Sequence, residues 1–187
     1  PTTLAIVAVA TAVGMVLGLA IAFVRIEKVP VLSQISQVFV SFIRGTPILV
    51  QLFLIYYGLP IVFTALANIE KIDYVYITYG LSTAAFFSEI FRSAISSVAT
   101  DQKEAAASVG LSKLQTYRRI ILPQAVRIAI PATGTMIVSL LQDTSLAFSL
   151  GVIDVIGKVR ALAALTYRSL EGYFVAAIIF IVLSIVL

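Results

Sequence analysis

The sequence predicts an all-α membrane protein with about five transmembrane helices, and three observations carry that expectation. The first is composition: of 187 residues, 60% are hydrophobic and 12% charged, with a mean hydropathy of +1.08. Soluble domains average about 45–50% apolar and about 25% charged residues. The second is run length. Thr3–Val24 holds 22 residues without a charge, and 25 uncharged residues separate Arg44 from Glu70, where about 20 suffice for a spanning helix. The third is rhythm, because further apolar runs recur between short polar turns, with one long polar interruption at Asp101–Pro123. Cysteine and histidine are absent, which excludes disulfides, thiolate chemistry and histidine metal sites. The net charge of +4 is spread over the loops and does not point to a nucleic-acid partner.

Taken in order, Thr3–Val24 forms the first span, with Gly14 and Gly18 four apart on a face of small residues suited to close helix packing. Arg25, Glu27, Lys28 and Pro30 make a polar turn. The second span falls in Gly45–Ala67 and starts earlier, since residues 38–43 are already apolar. Arg44-Gly45-Thr46-Pro47 predicts a kink where it enters the membrane, and Gly58 with Pro60 predicts that regular helix stops near Tyr57. A third span begins near Tyr74 and must include Glu89 to reach full length, with Arg92 three residues on along one face. The fourth runs from Gln124 to Leu141. The polar cluster Gln142-Asp143-Thr144-Ser145 then predicts a broken helix, tolerated only where backbone lines a cavity or is covered by protein. A loop with helical stretches covers Asp154–Glu171, and Gly172–Leu187 starts a fifth span. The chain opens on Pro1-Thr2-Thr3 and ends within an apolar run, so both ends are expected to be trimmed, and no signal-peptide pattern is present.

The polar interruption has its own local logic. Asp101 with Glu104 reads as a capping box, and Gln102–Val109 is rich in helix formers, with Ala105, Ala106 and Ala107 consecutive. Gly110 stands where a left-handed residue ends such a helix. Ser112 with Gln115 reads as a second capping box, opening another helix that Pro123 stops. Without further information the segment is also readable as an amphipathic loop lying on the bilayer surface.

Lys and Arg counts orient the chain. With the amino end outside, inner segments hold Arg25, Lys28, Arg44, Arg92, Lys103, Lys113, Arg118, Arg119 and Arg127, and outer segments hold Lys71, Lys158, Arg160 and Arg168. Asp101–Pro123 is therefore expected to face the cytoplasm.

Ionisable groups inside a bilayer cost about 2.5–3.5 kcal/mol on insertion scales and are functional candidates by default. Glu89 lies about 22 Å along its span and Asp143 about 18 Å beyond Pro131, at 1.5 Å per residue. For Glu89 the plainer reading is a structural pair with Arg92. For Asp143 it is a helix cap, shared with Thr144 and Ser145, and a half-helix start within a membrane is itself a place where polar substrate groups bind. A membrane enzyme built on Glu89 and Asp143 is disfavoured, since nothing in the sequence brings them together. The chain also carries no phosphate-cradling P-loop sequence.

Glu104-Ala105-Ala106, Gly110 and then Ile120-x-Leu122-Pro123 resemble the EAA loop of permease subunits in ABC importers. RGTPILVQLFLIYYGLP (44–60), AAFFSEIFRSAI (84–95) and LLQDTSLAFSLGV (140–152) resemble the polar-amino-acid branch of that family, and the similarity covers nearly the whole chain in register. Two positions depart from it: Gln142 stands where relatives often carry lysine, and Gly134-Thr135 where they read Gly-Asn. The stretch AFSLGVIDVIGKV is similar to permeases for cystine and related sulfur amino acids.

The resemblance implies a type I ABC importer permease core, with residues 1–187 as one transmembrane domain and 101–123 as its cytoplasmic coupling loop. It implies alternating-access import of an amino acid, with Glu104, Ala105, Ala106, Gly110, Leu122 and Pro123 coupling the chain to an ATPase. It also implies a substrate pocket near the midplane that draws on Glu89, Gln142, Asp143, Thr144 and Ser145. Implied partners are cytoplasmic ATPase subunits, which hold ATP and Mg, a second permease subunit forming a homo- or heterodimer, an extracellular substrate-binding protein and the lipid bilayer. No cofactor is expected in this chain. A stand-alone secondary transporter or channel is the alternative, and it needs ion-coupling residues of its own and more spans. A non-transporting scaffold leaves the polar midplane cluster without a purpose.

Overall fold

The computed structural model describes residues 2–187; Pro1, where the trimmed amino end was read, lies outside them. All regular structure among the described residues is helical. Helix α1 (Thr2–Ile26) buries Thr3, Ile6, Val7, Ala10, Gly14, Gly18 and Ala22. That three-and-four spacing is one face, and it packs along α4 (Lys71–Ser96). The glycines make the approach possible. A Cβ on Gly14 would stand 2.4 Å from Thr83 Oγ1, so the small-residue face is a helix interface.

Between them, α2 (Leu32–Gly45) and α3 (Ile48–Val62) meet at an elbow of 115°. The kink expected at Arg44–Pro47 is there, because Pro47 fixes an extended conformation immediately before α3. The early stop near Tyr57 is not: α3 continues through Gly58 and Pro60 to Val62. Pro60 falls in the last turn, where it removes a single helical bond while Phe63 N–H still closes that turn on Leu59 C=O at 2.8 Å.

α4 is the central helix, packed by α1, α2, α3 and α7 (Leu122–Asp143). It starts at Lys71 rather than Tyr74 because Glu70 and Asp73 form a capping box. Three continuous helical runs are long and apolar enough to cross a membrane, 2–26, 113–150 and 169–186, and the bent α2–α3 pair supplies a fourth span. α4 falls outside that set because Thr78, Ser82, Thr83, Ser88, Glu89 and Arg92 dilute its apolar character. Those hydroxyls are buried by neighbouring helices, so α4 sits at the centre of the bundle with these polar side chains shielded.

After α4 the chain enters α5 (Thr100–Ser108). The capping box expected at Asp101 does not form. Only three residues separate α5 from α4, and the helix begins two residues early, with Gln102 N–H bonding Ala99 C=O, so that Asp101 sits inside the first turn, where its charge suits the helix dipole. Ser112 and Gln115 do cap α6 (Lys113–Thr116) reciprocally. Pro123 does not stop that helix. A π-helical turn, Tyr117–Ile121, carries it into α7, and Leu122 N–H reaches back to Tyr117 C=O, so Pro123 sits in a first turn that needs no donor from it.

The break expected at 142–145 is also absent. α7 tightens into a 3-10 stretch, Thr144–Leu150, which Gly151 closes with φ 82°. α8 (Val155–Thr166) follows, capped by Asp154 through Gly157 N–H at 2.7 Å, and α9 (Ser169–Val186) ends the chain. One apolar core lies around Ile6, Leu52, Tyr79 and Leu141. A second lies at the opposite end of α4, around Ile95, Ile121 and Ala125, near the Arg25–Lys28 turn and the α5–α6 loop. This is the basic end of the bundle.

Candidate substrate cavity and coupling loop

Where the α2–α3 elbow turns away from α4 and α7, it leaves a cavity of about 490 Å³. Its wall is built from three directions: Thr46 and Gln51 at the elbow, Ser82 and Phe86 on α4, and Thr135, Ser139 and Asp143 on α7. Volumes of about 300–1,000 Å³ suit small molecules. Asp143 is the one ionisable residue on this wall among the described residues, so the cavity presents a single carboxyl on a largely apolar wall (Ile48, Phe86, Met136, Leu140) with a few hydroxyls.

Asp143 is held in place through its backbone. Tyr79, fully buried on α4, donates its phenol to the Asp143 carbonyl at 2.6 Å. The Asp143 side chain caps no helix, and Thr144 N–H is spent on the carbonyls before it. The free half-helix start anticipated after Asp143 is therefore not formed, and the carboxylate is left to the cavity. Thr144 is wholly buried and returns its hydroxyl to Leu141 C=O at 2.6 Å. Gln142 is exposed on another face of α7, and Ser145 is half-buried beyond it. Neither lines the cavity.

Glu89 is elsewhere. One carboxylate oxygen pairs with Arg25 of α1, and the other accepts from Arg92 at 2.8 Å. Two guanidinium groups neutralise it within the α1–α4 contact, and it does not line the cavity. The pairing with Arg92 was legible from the sequence; the one with Arg25, 64 residues away, was not.

Gln51 was missed. It is 4% exposed, and its Nε2 donates to Ile43 C=O at 2.7 Å and Thr46 C=O at 2.9 Å, bracing the elbow. Both acceptors are carbonyls, so the amide cannot be turned round, and Oε1 has no partner. A lone amide within ILVQLFLIYY was the available signal. Ser82, Thr135 and Ser139 carried none, since single hydroxyls are common in spanning helices.

At the basic end, α5 closes in the geometry its glycine anticipates. Gly110 has φ 77°, Leu111 N–H bonds Ala106 C=O and Gly110 N–H bonds Ala107 C=O, both at 3.0 Å, a Schellman closure. Glu104 and Ala105 are exposed, and Ala106 is buried against the bundle. Val109 and Leu114 stand 75% and 77% exposed on either side of the elbow, an apolar surface on an otherwise polar loop. Leu122 packs into the second core while Pro123 faces outward.

A family model described as "Binding-protein-dependent transport system inner membrane component" matches residues 14–187. The probable amino-acid permease protein YxeN of Bacillus subtilis (strain 168) is 45% identical over 186 residues, covering 100% of this chain and 83% of that protein. The L-cystine transport system permease protein TcyL of the same strain is 45% identical over 190 residues, covering 99% and 79%. A solved structure described as an amino acid ABC transporter with histidines superposes with a TM-score of 0.89 at 30% identity, over 98% of this chain and 85% of that one. An inward facing MetNI methionine ABC transporter shares the fold, with a TM-score of 0.80 at 17% identity over 99% and 87%.

Proposed function

Because the chain belongs to the family of inner membrane components of binding-protein-dependent transport systems, we propose that it is the transmembrane subunit of an ATP-driven amino-acid importer. It forms the translocation pathway by alternating access. The cavity, with the Asp143 carboxyl and a few hydroxyls on an otherwise apolar wall, carries this reading, because a free amino acid presents an ammonium and a carboxylate. Asp143 receives the ammonium, and the Ser82 and Ser139 hydroxyls donate to the carboxylate. Gln142, Thr144 and Ser145 shape the helix behind this wall.

Hydrolysis of ATP with Mg takes place on a partner ATPase pair in the cytoplasm. Glu104, Ala105, Ala106 and Gly110, with Leu122 and Pro123 behind them, present the α5 elbow to it. A second permease subunit and an extracellular binding protein complete the assembly, with the amino terminus outside. Relatives named for L-cystine transport make cystine the first substrate to try.

The test is reconstitution of the assembled complex, with binding protein, in liposomes loaded with ATP. Uptake of cystine or another amino acid that needs both ATP and the ATPase chain is the expected result. Uptake that persists without the ATPase would overturn the reading in favour of a stand-alone carrier or channel.

A further inference from the structure

The end of α1 carries two charges, two residues apart, that reach in different directions. Arg25 pairs with Glu89 on α4. Glu27, just past the helix, pairs with Lys113, the first residue of α6, and lies 3.5 Å from the Tyr117 hydroxyl in the π-helical turn. Phe23 backs this contact, its ring 6.3 Å from that of Tyr117. α5 packs only lightly on the rest of the chain, against α6 and the π-helical turn. A displacement of α5 therefore reaches the bundle along the backbone, back into α4 and on into α7, whose Gln124 also touches Gln102 at 3.4 Å, and sideways through Lys113 and Tyr117 into α1.

The sideways route continues through α1. Arg25 is held to Glu89, and the Gly14–Gly18 face leaves no room between α1 and α4, so a shift of one helix presses directly on the other. α4 supplies the Ser82 and Phe86 wall of the cavity, while α7 supplies the Ser139 and Asp143 wall. Resting on the reading of 101–123 as the coupling loop, we propose that Glu27 and Glu89 are the two joints of a charge relay. It delivers the movement of α5 to the α1–α4 wall in step with the movement α7 receives through the backbone. Glu89 is then a positioning residue for coupling rather than the second anion of the substrate site, and its two arginines account for its charge.

Glu27 and Lys113 are partly to largely exposed, and exposed ion pairs add little to stability. Their substitution should leave folding intact, which separates a coupling role from a structural one. The measurement is the ratio of substrate transported to ATP hydrolysed by the complete complex in liposomes. Glu27→Lys and Lys113→Glu are each expected to lower this ratio at least fivefold with unchanged assembly and melting temperature. The charge exchange Glu27→Lys/Lys113→Glu should bring it back to within twofold of the parent. Glu89→Gln should lower the ratio without changing the apparent affinity for substrate. Glu27→Gln and Lys113→Gln, milder changes at the same joint, guard against a misassembled exchange and should give intermediate ratios. Parent ratios in the single variants, or no recovery in an assembled exchange, overturn the relay while leaving the importer reading in place. A parent complex without ATP-dependent uptake overturns the importer reading itself.

Discussion

Gly18 of α1 lies so close to Phe87 of α4 that a Cβ on the glycine would stand 2.8 Å from the Phe87 Cβ. The same Cβ would also meet Ala84 O and Ser88 N at 3.0 Å, which are backbone atoms that cannot swing aside. Gly18→Ala must push the helices apart along their whole contact. Overpacking of this kind costs about 1–3 kcal/mol, so thermal unfolding of the purified chain in detergent should occur at a lower temperature. Gly58→Ala, inside α3 with open space around it, is the control and should leave the melting temperature unchanged or slightly raised.

Gly110→Ala should act without any steric neighbour. Nothing lies within 4 Å of the added methyl, but φ is 77°, and a left-handed residue other than glycine costs about 1–2 kcal/mol. The strain falls on the elbow alone. The expected result is normal membrane insertion with reduced substrate-stimulated ATP hydrolysis by the complex. Full stimulation would dissociate the elbow from coupling.

A cysteine-free chain makes topology directly measurable. Lys103→Cys and Val109→Cys should resist a membrane-impermeant thiol reagent in intact cells and react in inside-out vesicles. Leu165→Cys, on an exposed position of α8, should show the opposite pattern. Labelling at Lys103 or Val109 from outside would reverse the orientation inferred from Lys and Arg counts.

Asp143→Asn preserves volume and polarity and removes one charge. If the carboxylate receives the substrate ammonium, the apparent KM for uptake should rise about tenfold, equivalent to ~1.4 kcal/mol, with assembly unchanged. The Asp143 side chain bonds no helix end, so loss of a cap does not compete as an explanation. Unchanged KM would move the ammonium site to another residue or onto the partner permease.

Gln51→Glu tests the elbow. The substitution replaces the donor that Ile43 and Thr46 carbonyls share with an acceptor, leaving buried acceptors facing one another. A buried group without its partner costs about 1–3 kcal/mol. Lower thermal stability together with altered substrate affinity is expected, because the elbow is also cavity wall. Gln51→Met, similar in shape and lacking the acceptor conflict, should lie between Gln51→Glu and the parent.

By itself the sequence determined what depends on neighbours along the chain. Uncharged length set where helices cross, and small residues four apart announced the α1 face. Ser112 with Gln115 and Gly110 specified caps whose hydrogen bonds close within six residues. Tertiary structure decided wherever a distant partner outweighed a local signal. Pro60 and Pro123 read as stops, yet Pro60 falls in a last turn that still closes on Leu59 C=O, and a π-helical turn carries helix through Pro123. Asp143 read as the start of a half-helix, yet its carbonyl is taken by Tyr79 and the helix tightens onward. Glu89 read as a substrate anion or a partner of Arg92, and Arg25 on another helix claims it as well. A local pattern states which bonds are available; which of them form depends on the groups that folding brings alongside. The cavity exists only in the folded chain, between three segments that are far apart in sequence.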